Sequence, residues 1–234
     1  MEREIKEKAI CLKSVNSGEA DRILYLLSPD RGLFKCKIRG VKKPKAKLAF
    51  ASFPFCFGEY LLVKTGSNYT VTNCNFIDNF SILSADINKY YAGAGILEIG
   101  LKITQENEDA TQLFISIIKN LSALAYSNVN IFLVLCKMLL DSLQFLGVGV
   151  TIEDALKTTD LVFDFETGRI GTTTTENSAT LNYADYECIK TLLSSDIADV
   201  PITQKTSKNL LCMLVSYFEY KTDEKLSCLQ VFCK

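Results

Sequence analysis

Basic side chains are concentrated in one short part of this sequence. Eight Lys and Arg residues and no acidic residue occur in the stretch RGLFKCKIRGVKKPKAKLAFASFPFCFG, residues 31–58. The whole chain has 26 basic and 27 acidic residues, so the remainder, with 18 basic and 27 acidic, has a net charge of −9. Charge of one sign in one place creates a local field and opposes compaction by self-repulsion. The stretch therefore predicts a binding site for an anionic ligand.

The spacing of these cations indicates the shape of the site. Lys35, Lys37 and Arg39 alternate with apolar residues, so on a β-strand they share one face. The following loop, GVKKPKAK, continues the positive charge, and Pro44 favours a stiff, extended loop. A basic strand face with a basic loop is typical of barrels that track the phosphates of single strands. The predicted nucleic-acid contacts are Arg22, Arg31, Lys35, Lys37, Arg39, Lys42, Lys43, Lys45 and Lys47.

Aromatic residues near these cations have two interpretations. Stacking on bases is one role, for which Phe34, Phe50, Tyr60 and Tyr69 are candidates. Filling a barrel interior is the other, and the i, i+2, i+4 spacing favours it for Phe53, Phe55 and Phe57. The alternative for the basic stretch as a whole is an ordinary solvated surface.

Residue types elsewhere argue against an enzyme. The chain has no histidine, which excludes an imidazole general base, His-based metal sites and His-dependent nucleophilic triads. Its nine cysteines are scattered, form no C-x-x-C pair and mostly lie in apolar runs, as small buried hydrophobes do. The glycines of GAGILEIG fit close helix packing better than phosphate binding. Asp164 and Glu166 fit a turn beside glycine without any chemistry.

The chain shows the period-two pattern of β-strands from its start to about Phe80. Five strand-sized runs are separated by the turn signals NSGEAD, SPDRG, GVKKPKAK and KTGSN. In the first run Ala9 and Cys11, with Lys13 as a further candidate, share one side. Five antiparallel strands with a long third connection predict a small closed barrel of the OB-fold type.

The remaining residues have mainly helical periodicity. Helices are predicted from near Ser84, within NEDATQLFISIIKNLSALAYS, VNIFLVLCKMLLDSLQFLG, YADYECIKTLLSS and KTSKNLLCMLVSYFEYK. A β-hairpin is predicted in DLVFDFETGRIG, and GTTTTENSAT reads as a polar loop. The predicted fold class is α+β: an OB-fold domain at residues 1–80, then a helical domain at residues 81–234 with a hairpin insert at about residues 159–175.

Neither a membrane span nor a secretory signal is predicted. The longest apolar stretch is interrupted by Lys137 and Asp141, and the N-terminal MEREIKEKAICLK is too charged for a signal peptide. We therefore expect a cytoplasmic protein that does not contact membrane.

These motifs resemble those of the bacterial RecO family of DNA repair and recombination proteins. The resemblance lies in an apolar strand ending at Lys13 and in the segments Gly18–Ile23, Arg31–Leu33, Arg39–Leu48 and Ser52–Phe55, and it continues through YTVTNCNFIDNF, INKYYAGAGILEI and LLDSLQFLGV. It covers the chain best up to about Val150. It implies an OB-fold, binding of single- and double-stranded DNA, strand annealing, and recombinase loading with RecR, without a catalytic site. It also implies nucleoid association during repair.

One departure from the family concerns zinc. Many RecO proteins have a four-cysteine zinc site after the helix that ends here in LQFLGVGV, whereas residues 148–187 contain neither cysteine nor histidine, and Cys188 stands alone. We therefore expect no zinc or other cofactor, and a hairpin held by apolar packing.

The resemblance also implies a pocket for the C-terminal tail of single-strand-binding protein. Such a pocket needs an apolar floor and a cation for the terminal carboxylate. Lys119 and Lys137 lie in suitable helical stretches, although Lys137 could instead pair with Asp141 at i, i+4. Two other functions stay open: a protein-interaction adaptor with little DNA affinity, and an RNA-binding OB protein.

Overall fold

The computed structural model of the protein describes residues 4–153, 161–194 and 204–234. The chain divides into two compact units. One contains Met1–Ala85 and Gly100–Ile118, and the other contains Asp86–Ile99 and Lys119–Lys234. The first contains the closed five-stranded barrel, and the second contains most of the helical residues and a small sheet, which confirms the predicted α+β fold. The predicted domain boundary at residues 80 and 81 stays a prediction.

The barrel strands are β1 (Glu4–Ser17), β2 (Asp21–Ser28), β3 (Gly32–Ile38), β4 (Phe57–Thr65) and β5 (Asn68–Asp78). They are arranged in the order β1-β2-β3-β5-β4, and pairing of β1 with β4 closes the barrel. The β3–β5 pair is parallel and the other pairs are antiparallel. A closed barrel leaves no strand edge unpaired, so each strand must divide its side chains between one interior and one exterior.

Apolar side chains from every strand fill the barrel interior. Phe34, Cys36 and Ile38 of β3 are buried there, as their alternation predicts. Burial raises the pKa of the Cys36 thiol to about 12, so this cysteine is a protonated apolar filler. Phe34 and Tyr60 are 4 % and 0 % exposed, so the prediction that their rings are available to bases is wrong.

A β-bulge changes the face that β1 presents. Cys11 pairs with Leu26, but Lys13 pairs with Tyr25, so one extra residue separates the two pairs. The bulge reverses the alternation, because an extra residue shifts every later side chain to the other face. Cys11 is buried in the interior while Lys13 is exposed, and placing them on one side was wrong.

The expectation that Phe53, Phe55 and Phe57 fill the barrel is also wrong. The interior cluster of the described barrel residues contains none of the three. Residues 50–52 form a short 3₁₀ helix and Phe55 has a positive φ of 71°, so strand alternation does not apply before Phe57. Phe53 is 51 % exposed, whereas Phe57 points outward and packs edge to face on Phe114, with ring centroids 5.9 Å apart.

Residues after the barrel cover part of its exterior. The backbone N–H of Leu33 donates to the carbonyl of Gln105 at 3.1 Å, and the N–H of Asn107 donates to that of Arg31 at 2.9 Å. Gly32 is required here, because its φ is +63° and a Cβ atom would lie 2.3 Å from the Gln105 oxygen. Only glycine adopts this conformation readily and leaves room for the carbonyl.

Among the described residues, five helices match the predicted periodic segments, whereas the short helix at Gln230–Cys233 was not predicted. Their bounds are α1 (Ile87–Ile103), α2 (Thr111–Tyr126), α3 (Ile131–Phe145), α4 (Tyr183–Ser194), α5 (Gln204–Thr222) and α6 (Gln230–Cys233). The predicted packing role of the α1 glycines agrees with Gly95, where a Cβ atom would lie 2.2 Å from Leu229. A larger residue would displace the segment that precedes α6.

The small sheet contains β6 (Thr151–Ile152), β7 (Leu161–Asp164), β8 (Arg169–Gly171) and β9 (Ser178–Leu181) in the order β6-β8-β7-β9. The predicted hairpin is β7–β8, and residues 159 and 160 of the predicted insert lie outside the described residues. Reading all of GTTTTENSAT as a loop was wrong, because β9 pairs with β7.

Tyr217 of α5 holds the hairpin in place. Its ring lies 4.7 Å from that of Phe163, and its hydroxyl donates to the Val148 carbonyl at 2.8 Å. Lys221 donates to the Glu166 carbonyl at 2.7 Å. Asp164 has the structural role expected of it, since its carboxylate accepts hydrogen bonds from Thr167 and Thr175 across the turn.

Candidate nucleic-acid interface

The outer face of β3 presents its basic side chains to solvent. Lys35 is exposed and Lys37 is half-buried, whereas Phe34, Cys36 and Ile38 between and beside them are buried. Arg39, immediately after the strand, is exposed. The predicted separation of basic and apolar faces is therefore present in the barrel.

Lys13 and Tyr25, which were not predicted to belong to this face, extend it across β1 and β2. Lys13 of β1 pairs with Tyr25 of β2, which pairs with Lys35 of β3. The Lys13 ammonium lies 5.8 Å from the centre of the Tyr25 ring, and the Lys35 ammonium lies 5.3 Å from it. Both distances are within the range of cation–π attraction. Because of the bulge, the period-two pattern of β1 places Lys13 on the wrong face. The row of Lys13, Tyr25 and Lys35 therefore follows only from the strand register.

The connection from β3 to β4 carries the other lysines. Val41 is buried and Leu48 is half-buried against the interior cluster, so both ends of this loop are anchored. The side chains between them are exposed: Lys42, Lys43, Lys45 and Lys47. Expecting an extended loop at Pro44 was wrong. The N–H of Lys43 donates to Gly40 at 3.1 Å and that of Ala46 to Lys43 at 3.2 Å, as in consecutive tight turns.

Asp21 is a carboxylate at the edge of this basic region. It accepts a hydrogen bond from the Gly40 N–H at 2.9 Å, and it forms a salt bridge with Lys37 at 2.9 Å. The Gly40 N–H first, and then the Lys37 ammonium, lower the pKa of Asp21 below its usual value. Asp21 therefore both fixes the start of the loop and neutralises one of the predicted DNA-binding cations.

Arg31 is half-buried and is held by contacts with two other barrel residues. Its Nε donates to the Glu7 carboxylate at 2.7 Å, and its Nη1 donates to the Tyr69 hydroxyl at 3.0 Å. Glu7 is only 8 % exposed, so its charge depends on this partner. The bond to Glu7 raises the pKa of the Arg31 guanidinium.

Arg22 is also held by local contacts. Its Nη1 donates to the Ser52 carbonyl at 3.1 Å, and its guanidinium lies 4.5 Å from the centre of the Phe53 ring. The remaining predicted cations have no salt bridge to another residue in the part of the chain that the structure describes. We call this set the basic surface: Lys35, Arg39, Lys42, Lys43, Lys45 and Lys47.

The two predicted partner-binding lysines lie in different surroundings. Lys119 of α2 is exposed. Lys137 of α3 forms the alternative i, i+4 salt bridge with Asp141 at 3.0 Å and donates to the Leu192 carbonyl at 2.9 Å. Their role in binding a partner stays a prediction.

Potential metal ligands are dispersed in the part of the chain that the structure describes. Within residues 4–153, 161–194 and 204–234, no three His, Cys, Asp or Glu side chains are grouped to hold a metal ion. Cys188 is buried, and desolvation raises the pKa of its thiol to about 12. None of the helices in the same ranges is long and apolar enough to cross a membrane.

A closed five-stranded barrel with a long third connection has the architecture of an OB-fold. Comparison with known families makes the assignment specific. The models for the N-terminal and C-terminal parts of recombination protein O match residues 1–80 and 84–229. The chain therefore belongs to the RecO family of DNA repair proteins.

Individual relatives agree with the family match. The DNA repair protein RecO of Clostridium novyi is 23 % identical over 97 % of this chain and 93 % of its own length. That of Acetivibrio thermocellus is 26 % identical over 68 % of this chain, and the match spans just under two thirds of the relative, 64 %. That of Shouchella clausii is 32 % identical over 47 % of this chain and 43 % of the relative.

The contacts of Arg31 predict a mainly structural role for this residue. Arg31→Ala should lower the free energy of unfolding by about 1–3 kcal/mol, because the buried Glu7 carboxylate loses its charged partner. Glu7→Gln should remove most of that penalty in the double variant. Urea denaturation of the single and double variants measures the coupling. Arg39→Ala is the control and should change stability by less than about 0.5 kcal/mol. Strictly additive effects of the two substitutions would contradict this role.

Asp21→Asn should strengthen DNA binding. The amide can still accept from the Gly40 N–H, but Lys37 is released to contact phosphate. The gain should be at most about fivefold, since exposed ion pairs are worth about 0.2–1 kcal/mol. Titration of a labelled single strand at several salt concentrations measures the slope of log affinity against log salt concentration. This slope should be steeper than that of the wild type by about 0.7.

The matched control for this effect is Asp30→Asn, which removes the same charge from an exposed site. Because the pKa of Asp21 is lowered, the difference from wild type should persist at neutral pH and vanish only below the usual titration range of aspartate. An unchanged salt slope would show that Lys37 does not contact DNA.

Proposed function

We propose that this chain binds single- and double-stranded DNA through the basic surface, promotes strand annealing and assists recombinase loading, without catalysing a covalent reaction. The observation that carries the proposal is the position of six exposed cations without salt bridges to other described residues, on the barrel of a RecO-family protein. Positive charge at this density attracts a polyanion, and its repulsion is relieved when phosphates replace mobile counterions.

The mechanism is electrostatic. Lys and Arg side chains neutralise phosphates and release condensed counterions, which gives affinity without reading sequence. Contacts to phosphates leave the pairing edges of the bases accessible to a second strand. The same field attracts a second strand and reduces the repulsion between the two backbones, so annealing becomes faster.

The proposed partners and location follow from the family. They are RecR and the acidic C-terminal tail of single-strand-binding protein, in the bacterial cytoplasm at the nucleoid. For the tail, exposed Lys119 is the cation that can meet a carboxylate without first breaking a salt bridge to another described residue. Lys137 would first have to release Asp141 and the Leu192 carbonyl.

Reversal of two loop charges tests the DNA site. Lys43→Glu combined with Lys45→Glu should weaken DNA binding strongly, because two attractive contacts become repulsive. For single-strand binding, the slope of log affinity against log salt concentration should become shallower by about 0.7 for each phosphate contact that is lost. Fluorescence anisotropy with labelled DNA at several salt concentrations, together with an annealing assay, measures both effects.

The control is Lys6→Glu combined with Lys190→Glu. It makes the same change of charge at two exposed positions outside the basic surface. It should bind DNA nearly as the wild type does. Equal weakening in both variants would mean that only net charge matters. If the wild-type protein binds DNA independently of salt, the electrostatic mechanism is wrong. If it does not bind DNA, the adaptor alternative is favoured. If it strongly prefers RNA to DNA, the RNA-binding alternative is favoured.

We also propose that the hairpin needs no zinc. Support comes from the contacts of Tyr217. Its ring packs on Phe163 of the hairpin strand β7, and its hydroxyl donates a hydrogen bond to the Val148 carbonyl. Elemental analysis of untagged protein should find far less than one zinc per chain, and treatment with a strong chelator should leave the thermal unfolding midpoint unchanged. Stoichiometric zinc that survives dialysis would contradict this proposal.

A further inference from the structure

Three phenylalanines are exposed on the barrel near the short 3₁₀ helix. Phe50 and Phe53 lie on either side of the buried residue Ala51 in sequence, and Phe76 comes from β5. Their exposed fractions are 37 %, 51 % and 52 %. Phe50 and Phe76 pack edge to face, with ring centroids 5.8 Å apart and planes at 83°. We call Phe50, Phe53 and Phe76 the aromatic platform.

The platform differs from the other aromatic residues of the barrel. Phe34 and Tyr60 fill the interior. Tyr25 lies between two lysine ammonium groups, and Tyr69 is contacted by Arg31 and Lys64. Neighbouring exposed apolar side chains mark binding sites more often than scattered ones do. Within the platform, the Phe50 and Phe76 rings adjoin each other while both are exposed.

The platform follows the basic surface directly along the chain. Lys47 precedes Phe50 by three positions, and the intervening turns are tied by hydrogen bonds from Ala49 to Ala46 and from Ala51 to Leu48, both 3.2 Å. The Arg22 guanidinium lies 4.5 Å from the Phe53 ring. One cation therefore contacts a platform ring, and Lys47 of the basic surface is close to Phe50 in sequence.

We propose that the aromatic platform stacks unpaired bases of a single strand whose phosphates lie on the basic surface. The inference rests on the proposed function and deepens it, because it names the form of DNA that the site prefers. Every base has a π-face that can stack on phenylalanine, whatever the sequence. The bases of a duplex are already stacked on one another, so the platform gives preference to single strands. The surrounding cations favour this polyanion over an uncharged apolar partner.

The absence of tryptophan from the sequence allows a direct test. Phe50→Trp introduces a single indole fluorophore at the platform while keeping an aromatic ring. Oligothymidylate should quench its fluorescence, because a stacked base contacts the indole. A length-matched abasic strand and a blunt duplex should bind, as anisotropy will show, but quench little. The control Tyr183→Trp, at an exposed site in α4, should not respond to any of the three.

Affinity measurements give the second readout. Phe50→Ala combined with Phe76→Ala should weaken binding of oligothymidylate by roughly tenfold to hundredfold for each base stacked. Binding of the abasic strand and the salt slope should not change, since phosphate contacts remain. Tyr91→Ala combined with Tyr183→Ala removes two exposed rings elsewhere and should leave all affinities unchanged.

The outcomes separate the inference from the function on which it rests. If wild-type protein binds neither oligothymidylate nor the abasic strand, the proposed function fails. If both strands bind and the Phe50/Phe76 double variant binds them as the wild type does, the function stands and the platform is not a base site. Quenching that follows protein concentration without DNA would overturn the inference in favour of contact between copies of the chain. Quenching by an acidic apolar peptide and not by oligothymidylate would overturn it in favour of a protein partner.

Discussion

Closure of the barrel is the constraint on which the rest of the structure depends. Because a closed barrel has a single interior, the strand that buries Phe34, Cys36 and Ile38 must direct Lys35 and Lys37 outward. An unpaired ammonium group in the interior would cost several kcal/mol, so the opposite arrangement is not stable. The same closure anchors the β3–β4 connection through Val41 and leaves its lysines in solvent. The positive field is thus a consequence of how the apolar core is built.

The cations of the barrel differ in how strongly other residues hold them. Arg31 is bound to a nearly buried carboxylate and a tyrosine hydroxyl, so it belongs to the stabilising contacts of the barrel. Lys37 is intermediate, because its salt bridge with Asp21 is exposed enough to exchange for a phosphate. The lysines of the β3–β4 connection are exposed and form no salt bridge with another described residue. Charge density in the sequence therefore overstates the charge that is free to bind.

In the helical unit, contacts of one tyrosine hold the hairpin. Tyr217 packs on Phe163 and donates to the Val148 carbonyl. Gly168 makes this approach possible, because its φ is +70° and a Cβ atom would lie 2.4 Å from the Tyr217 hydroxyl. At the other end of the unit, Glu98 accepts hydrogen bonds from the backbone N–H groups of Ser227 and Cys228 and so fixes the chain before α6.

The sequence by itself determined the five strands, the long helices, the β7–β8 hairpin and the outward direction of Lys35, because periodicity is a local property. It also determined the family through its spaced motifs. Only the tertiary structure decided which cations are paired and which rings are exposed. Glu7 and Arg31 are far apart in sequence, the bulge that turns Lys13 outward depends on pairing with β2, and Phe50 meets Phe76 of another strand. Such contacts join residues distant in sequence, and no local pattern encodes them.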